Sequence, residues 1–305
     1  MNIAYIIFNR LDHTKCSFDK IRQAQPKRLL LIADGHRESV EGEASRCREV
    51  RDYVTSSVDW DCEVLTNFSE KNLGCKNRVS SGIDWVFSQV EEAIILEDDC
   101  VPHMDFFRFC EEMLGRYRYD ERVMHIGGQN MIPEVTVSED SYYASKFPHI
   151  WGWATWRRAW NHFDVRLSDW NDWKEADGLA KLFAHKKEAD YWANIFDKVT
   201  AGEIDVWGYQ WMYACFKNEG LCLVPHVNLI SNIGYGEDAT HTGDQQSEWA
   251  NMEAKALGFP LRHPDKLEVN EEVFSQLLDK AFLPKRTWRT PLKELLQYFG
   301  LFKNR

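Results

Sequence analysis

In the stretch EEAIILEDDCVPHMDFFRFCEEML (91–114), three acids, Glu97, Asp98 and Asp99, follow an apolar run that reads as a strand buried on both faces. Carboxylates gathered at a strand end suit a hard divalent cation, which takes oxygen ligands and bridges them to phosphates. The bland reading is a solvated acidic loop or a helix cap. The position, at the mouth of a buried strand, favours the metal. Phe106, Phe109, Cys110, Met113 and Tyr117 then recur at helical spacing, with Asp105 as the expected N-cap. No GxxxxGK[ST] occurs in the chain, so the acids do not serve a P-loop.

Two further residues invite chemistry. His241, in NIGYGEDATHT, is a neutral imidazole that can reach a metal or a phosphate, or an ordinary surface-loop histidine. The same segment holds a formal G-x-G-x-x-A from Gly234 to Ala239. It lies far from any early βαβ unit and runs into a poor helix start, so it is not read as a dinucleotide fingerprint. Asp205, in GEIDVWGYQW, is either a general base beside aromatic walls or the N-cap of the helix that YQWMYACF forms. Burial against Trp207, Tyr209 and Trp211 would raise its pKa toward the range a base needs. Nucleophilic hydrolysis has no support: there is no G-x-S-x-G and no cysteine–histidine pair at a recognisable spacing.

The elements that must hold these residues alternate over the first 130 positions. Strands are expected at 3–8, 29–34, 62–67, 93–99 and 123–128, with helical patterns between them, clearest at Val79, Ile83, Val86, Phe87 and Val90. Such alternation predicts an α/β fold with a mainly parallel sheet and helices on both faces. Ligands of such sheets bind beyond the carboxyl ends of the strands. There stand Asn9-Arg10, Asp34-Gly35, Asn72 to Arg78, Glu97 to Asp99 and Gln129-Asn130. One polar strand end is a loop; five in succession point to a site. From about 140 to 250 aromatics dominate and the βαβ rhythm is lost, which reads as the second half of the same domain folded over the sheet's carboxyl edge. The end is helical, with Asn270 capping one helix. Thr290-Pro291 opens another, whose stripe Leu292, Leu295, Leu296 and Phe299 has basic residues nearby.

Bulk properties bound the choice. At 305 residues and 44% hydrophobic content, one large domain with a packed core is expected. The formal charge of −11 argues against a general nucleic-acid binder, which needs a broad basic face. Thirteen tryptophans pack cores or line sites that stack sugar rings and bases. The eight cysteines form no CxxC pair and read as reduced, structural thiols. No signal peptide and no membrane-spanning run is seen, so a cytoplasmic location is expected.

With these residues in place, the chain resembles the nucleotide-sugar glycosyltransferases of the GT-A fold, particularly the N-acetylglucosaminyltransferase I type and its bacterial relatives. IILEDDCVPHMDFF carries the strongest likeness. NLGCKNRVSSGIDWVF resembles the segment that closes over the nucleotide, FPHIWGWATWRRAW the segment near the acceptor, and YQWMYACFKNEGLCLVPHVNLISNIGYGEDATHT the bacterial relatives' catalytic region. The resemblance implies a metal-dependent hexosyl- or N-acetylhexosaminyltransferase with a UDP-sugar donor, manganese or magnesium, and inversion at the anomeric carbon. By association with such enzymes, a carbohydrate or lipid-linked glycan acceptor in bacterial surface polysaccharide or glycoconjugate synthesis is expected. Asp99 would coordinate the metal, Glu97 and Asp98 would contact ribose or sugar, and Arg10, Asp34 and Arg78 would hold the nucleotide. The family's base stands immediately before the tryptophan that aligns with Trp211. Gln210 occupies that place here, and Asp205 is the nearest carboxylate. The expected organisation is a GT-A domain over 1–250, nucleotide-binding in 1–130 and acceptor-binding or catalytic in 131–250. A helical extension follows over 251–305, its last helix suited to peripheral membrane contact. A carbohydrate-binding protein with a structural metal and a sugar-nucleotide nucleotidyltransferase are the rival readings. The second is weakened by the absence of glycines in FNRLDHTKCS.

Overall fold

The computed structural model describes residues 1–135, 138–235 and 249–282. Its first half is the expected alternation. β1 (Asn2–Ile7), α1 (Leu11–Ala24), β2 (Arg28–Ala33), α2 (Glu43–Ser56), β3 (Glu63–Phe68), α3 (Gly74–Gln89) and β4 (Glu92–Glu97) follow in order. β2 and β4 flank β1, β3 lies beyond β2, and all four run parallel. Side chains alternate between faces, as a strand period of two requires. Ile3, Tyr5, Leu29, Leu31, Ile94 and Leu96 enter one core with Phe18 of α1 and Val50 of α2. Ala4, Ile6, Leu30, Ile32 and Ile95 enter the opposite core with Val79 and Ile83 of α3. Burial on both faces is why these strands are continuous apolar runs. β4 stops at Glu97, so Asp98 and Asp99 lie in the turn to a short strand, β5 (Cys100–Pro102).

The second half continues the same sheet. After α4 (Met104–Arg116) come β6 (Val123–Gly127), β7 (Tyr142–Ser145) and β8 (Trp153–Trp156). α5 (Arg157–Trp160), α6 (Trp170–Glu175), α7 (Gly178–Leu182), α8 (Lys186–Thr200) and α9 (Gly208–Lys217) lead to β9 (Leu221–Pro225) and β10 (Ile230–Asn232). The eight strands are ordered β3-β2-β1-β4-β8-β6-β9-β7, so the fold is α/β with a mainly parallel sheet. β8 runs antiparallel between β4 and β6, and β7 runs antiparallel beside β9. The two antiparallel strands are only four residues long, which is why no alternating rhythm is legible there.

A separate aromatic core holds the rest. Phe147, Trp170, Trp192, Phe196 and Phe216 pack with α10 (Glu271–Leu277) and the π turn Leu278–Phe282. Asn270 caps α10 as expected, accepting from the N–H groups of Glu272 and Val273 at 3.1 Å each. The cap of α4 differs from expectation. His103 is the N-cap, its Nδ1 accepting from the Asp105 N–H at 3.2 Å, while Asp105 sits in the first turn and accepts from the Leu257 N–H at 2.9 Å. A carboxylate is favoured in a first helical turn by the unpaired N–H groups there, so Asp105 serves the helix without capping it. The eight cysteines are free thiols. No described helix is long and apolar enough to cross a membrane. The stripe after Thr290 and His241 lie outside the described residues.

Candidate active site

Polar strand ends from β1, β2, β4 and β6 converge on one cavity of about 330 Å³. Arg10, Asp34, Asn72, Arg78, Glu97, Asp98, Asp99, Gln129 and Asp205 all line it. Asn130 does not: it is fully buried and donates from Nδ2 to the Pro225 and His226 carbonyls at 2.9 and 3.1 Å. A second wall is apolar and comes from the later half of the chain, including Trp151, Val206, Met212 and Phe282.

The three acids have unlike surroundings. Asp98 is buried and pairs with the Arg10 guanidinium, and burial holds its carboxyl above the usual carboxylate range despite that partner. Its other oxygen, Oδ2, is buried without a hydrogen bond among the described residues. Asp98 therefore braces Arg10 while lining the same cavity. Asp99 accepts from Arg10 Nη2 at 2.8 Å and keeps partial exposure toward the cavity. Glu97 also faces the cavity. Burial, then the charges of Asp99 and Asp98, push its carboxyl up to about 8. A carboxyl so placed gains from any cation that enters.

The antiparallel ladder of β5 with β10 pairs Cys100 with Asn232 and so brings the late chain onto the acids. The Ile233 N–H donates to the Asp99 carbonyl at 2.9 Å. A Cβ at Gly234 would stand 2.2 Å from Asp99 Oδ2, so the glycine is needed for close approach. That is the physical content of the glycine in the discounted G-x-G-x-x-A match.

Asp34, expected to hold the nucleotide, is buried, and its carboxylate is engaged by the protein itself. It accepts from the N–H groups of Gly35 and Leu73 at 2.9 Å, from Gly74 at 3.0 Å and from Asn72 Nδ2 at 3.1 Å. Burial raises its pKa, and those backbone donors oppose the rise. Asp34 thus ties the end of β2 to the start of α3. Arg78, 5% exposed, places Nη2 on the carbonyl and Oδ1 of Asn67 at 2.6 and 2.7 Å. It braces the end of β3 from α3, at the cavity floor.

Asp205 lies at the cavity mouth with its side chain 74% exposed, 3.2 Å from Lys76 Nζ. The expected burial against aromatic rings is not found, because Trp207, Tyr209 and Trp211 turn into the cores. Nor does Asp205 cap α9, whose N-cap is Trp207 without a side-chain bond. Gln210 is buried and donates to the Val165 carbonyl at 3.4 Å, away from the residues that line the cavity. Residues that sequence patterns did not single out also line it: Phe8, Arg37, His149 and Trp151. Only their place just beyond β1 or β2, or in the aromatic segment before β8, could have marked them.

No protein-family model and no curated protein matches the sequence. Among solved structures, the chain is similar to a mannosyltransferase from Pyrobaculum calidifontis in complex with GDP-Man and Mn2+, with 14% identity over 50% of this chain and 44% of that one, at a TM-score of 0.34. It is similar to HddC from Yersinia pseudotuberculosis, with 10% identity over 47% and 57% of the two chains and a TM-score of 0.26. A provisional nucleotide-diphospho-sugar transferase from Desulfovibrio desulfuricans G20 shows 8% identity over 52% and 65%, with a TM-score of 0.29. Each match spans less than two thirds of the neighbour's own length.

Proposed function

We propose that this chain is a GT-A nucleotide-sugar glycosyltransferase, moving a sugar from a UDP-sugar to a hydroxyl of a carbohydrate or lipid-linked glycan acceptor. One observation carries the reading. Glu97 and Asp99, at the carboxyl end of a central strand, open into the cavity that the ends of β1, β2 and β6 also line. That is where an open α/β sheet takes a nucleotide.

A divalent ion fits there only in company. Among the described residues no group of three histidine, cysteine or acidic side chains is placed to cage a metal. Arg10, in ion pairs with Asp98 and Asp99, stands where a cation's charge is wanted. Ions of the magnesium kind are commonly held by one or two carboxylates together with substrate phosphates. Asp99, with Glu97 beside it, suits that arrangement, and manganese or magnesium so held would stabilise the charge of a departing diphosphate as a Lewis acid. Asp98 fixes Arg10, and Arg10 supplies positive charge next to the phosphates. Asp34 and Arg78 hold the loop and helix that floor the cavity. Asp205, at the mouth, accepts the proton of the acceptor hydroxyl, and attack from the face opposite the diphosphate inverts the anomeric carbon.

The test is titration calorimetry with UDP, with and without manganese, on the wild type and Asp99→Asn. Binding should need the ion in the wild type, and manganese-stimulated turnover should vanish in the variant while its far-UV spectrum is unchanged. A variant that kept wild-type activity and manganese dependence would end this reading. Sugar binding indifferent to UDP would favour a carbohydrate-binding protein instead.

A further inference from the structure

Two buried histidines in the second half of the chain differ in what their rings do. His125, in β6, uses both nitrogens: one accepts from Trp211 Nε1 at 3.2 Å, the other donates to the His149 carbonyl at 3.0 Å. It is a satisfied core histidine. His149 is 6% exposed and lines the cavity, yet its Nε2 is buried without a hydrogen-bond partner among the described residues. Buried polar atoms are as a rule hydrogen-bonded, so an exception at a cavity wall points to a partner that enters from outside. The bond from His125 to the His149 carbonyl fixes the backbone that carries this ring.

We infer that His149 receives a hydroxyl of the donor's sugar ring, and that this sugar is uncharged, a neutral hexose and not a hexuronic acid; this rests on the donor reading above. Placement supports it. β8 neighbours β4 on the side away from β1, about 5 Å across, and Trp153 of β8 lies opposite Ile95. The segment leading into β8, with His149 and Trp151, therefore stands beside the acids on the flank away from β1 and β2. A donor's sugar is bonded directly to its diphosphate, so it falls within one ring of the groups that hold the phosphates.

The chemistry of the ring supports it as well. Burial lowers the pKa of His149 to about 4, so the imidazole is neutral at pH 7. A neutral imidazole offers one N–H and one lone pair, and a hydroxyl answers either. It brings no positive charge to a carboxylate. The arginines of the cavity, Arg10, Arg37 and Arg78, all come from the first 80 residues. Among the described lining residues from 129 onward there is no lysine or arginine, while Asp205 adds negative charge. A sugar carboxylate on this flank would meet like charge without a counter-ion.

The experiment is titration calorimetry with UDP, UDP-glucose, UDP-galactose, UDP-N-acetylglucosamine and UDP-glucuronate, each with manganese. It uses the full chain as wild type, His149→Phe and His149→Gln. Phenylalanine keeps a ring and removes both nitrogens, whereas glutamine keeps a donor and an acceptor. The wild type should bind UDP-glucuronate about tenfold or more weakly than the best of the three neutral sugars. His149→Phe should lose about tenfold on that best sugar with UDP unchanged, and His149→Gln should recover part of the loss. Wild-type affinity for the neutral sugars in His149→Phe would overturn the contact and leave the donor site standing. An equal loss on UDP would overturn it too, by making His149 a support of the fold. UDP-glucuronate bound as tightly as the neutral sugars would overturn the uncharged class. If UDP does not bind the wild type, the donor reading fails and the role of His149 with it.

Discussion

Asp34 and Asp205 show how differently two carboxylates on one cavity can be employed. Asp34 is enclosed by backbone donors, so Asp34→Ala leaves the buried N–H of Gly35 and the partly buried N–H groups of Leu73 and Gly74 without their acceptor. An orphaned buried donor costs about 1–3 kcal/mol. Urea unfolding of Asp34→Ala should show a loss of that size, with weaker UDP binding following from the loosened loop. Unchanged stability alongside weaker binding would mean that Asp34 touches the nucleotide directly. Asp205 has the opposite setting, exposed and paired with Lys76. Exposed ion pairs are worth about 0–1 kcal/mol, so Asp205→Asn should leave the fold intact. As the base it should lose roughly 100-fold in turnover with UDP and manganese binding unchanged. Transfer at near wild-type rate would remove it from the chemistry.

Between residues and the whole, β6 and β8 are locked to α9 by a buried histidine. His125 stacks on Trp153 with ring centres 5.1 Å apart. Its Nδ1 accepts from Trp211 Nε1 at 3.2 Å, which leaves Nε2–H to donate to the His149 carbonyl at 3.0 Å. The bond from Trp211 requires the neutral ring, and burial depresses its pKa from 6.5 to about 3. The unfolded chain, titrating near 6.5, binds the proton first. The stability His125 contributes is therefore whole above that pH and is lost as pH falls toward about 3. At pH 5 the loss from this residue is about 2 kcal/mol. His149, lowered to about 4 by burial, acts in the same direction. Urea midpoints measured from pH 7 to 5 should fall in the wild type and fall less steeply in His125→Gln. Equal slopes would show that His125 does not govern the acid response.

For the molecule as a whole, the cavity lies between a sheet that brings charge and an aromatic core that brings a wall. Phe282 joins that core to the cavity: it is 1% exposed, stacks 4.4 Å from Phe147 and lines the cavity. The described end of the chain is therefore part of the fold, with Leu257 and Leu261 in one core and Phe274 and Leu277 in the other. Removing a buried phenylalanine costs about 3–5 kcal/mol, and Phe282→Ala should lose that much in denaturant unfolding. A loss under about 1 kcal/mol would set residues 271–282 outside the cooperative unit.

Periodicity is a local property, and what it governs was legible in the residues themselves. Ile3, Leu30 and Ile95 announce strands buried on both faces, and Glu97 to Asp99 announce a charged strand end, because neighbours along the chain decide both. The αβ alternation then commits the early strands to a parallel sheet with its polar ends at one edge. Contacts across the chain are another matter. Arg10 meets Asp99 across 89 positions, Asp34 closes on residues 72–74, and the β5–β10 ladder carries Gly234 onto Asp99. No spacing encodes these, since they depend on which strand ends the sheet order sets side by side. The same holds for exposure. Asp205 stands among aromatic residues in sequence, yet their rings turn into the cores and leave the carboxylate at the mouth. Arg37 looks like any loop arginine until Glu43 and Asn9 hold it above Phe8. Residue types set which chemistry was available; the packing of distant segments decided which groups remain free to perform it.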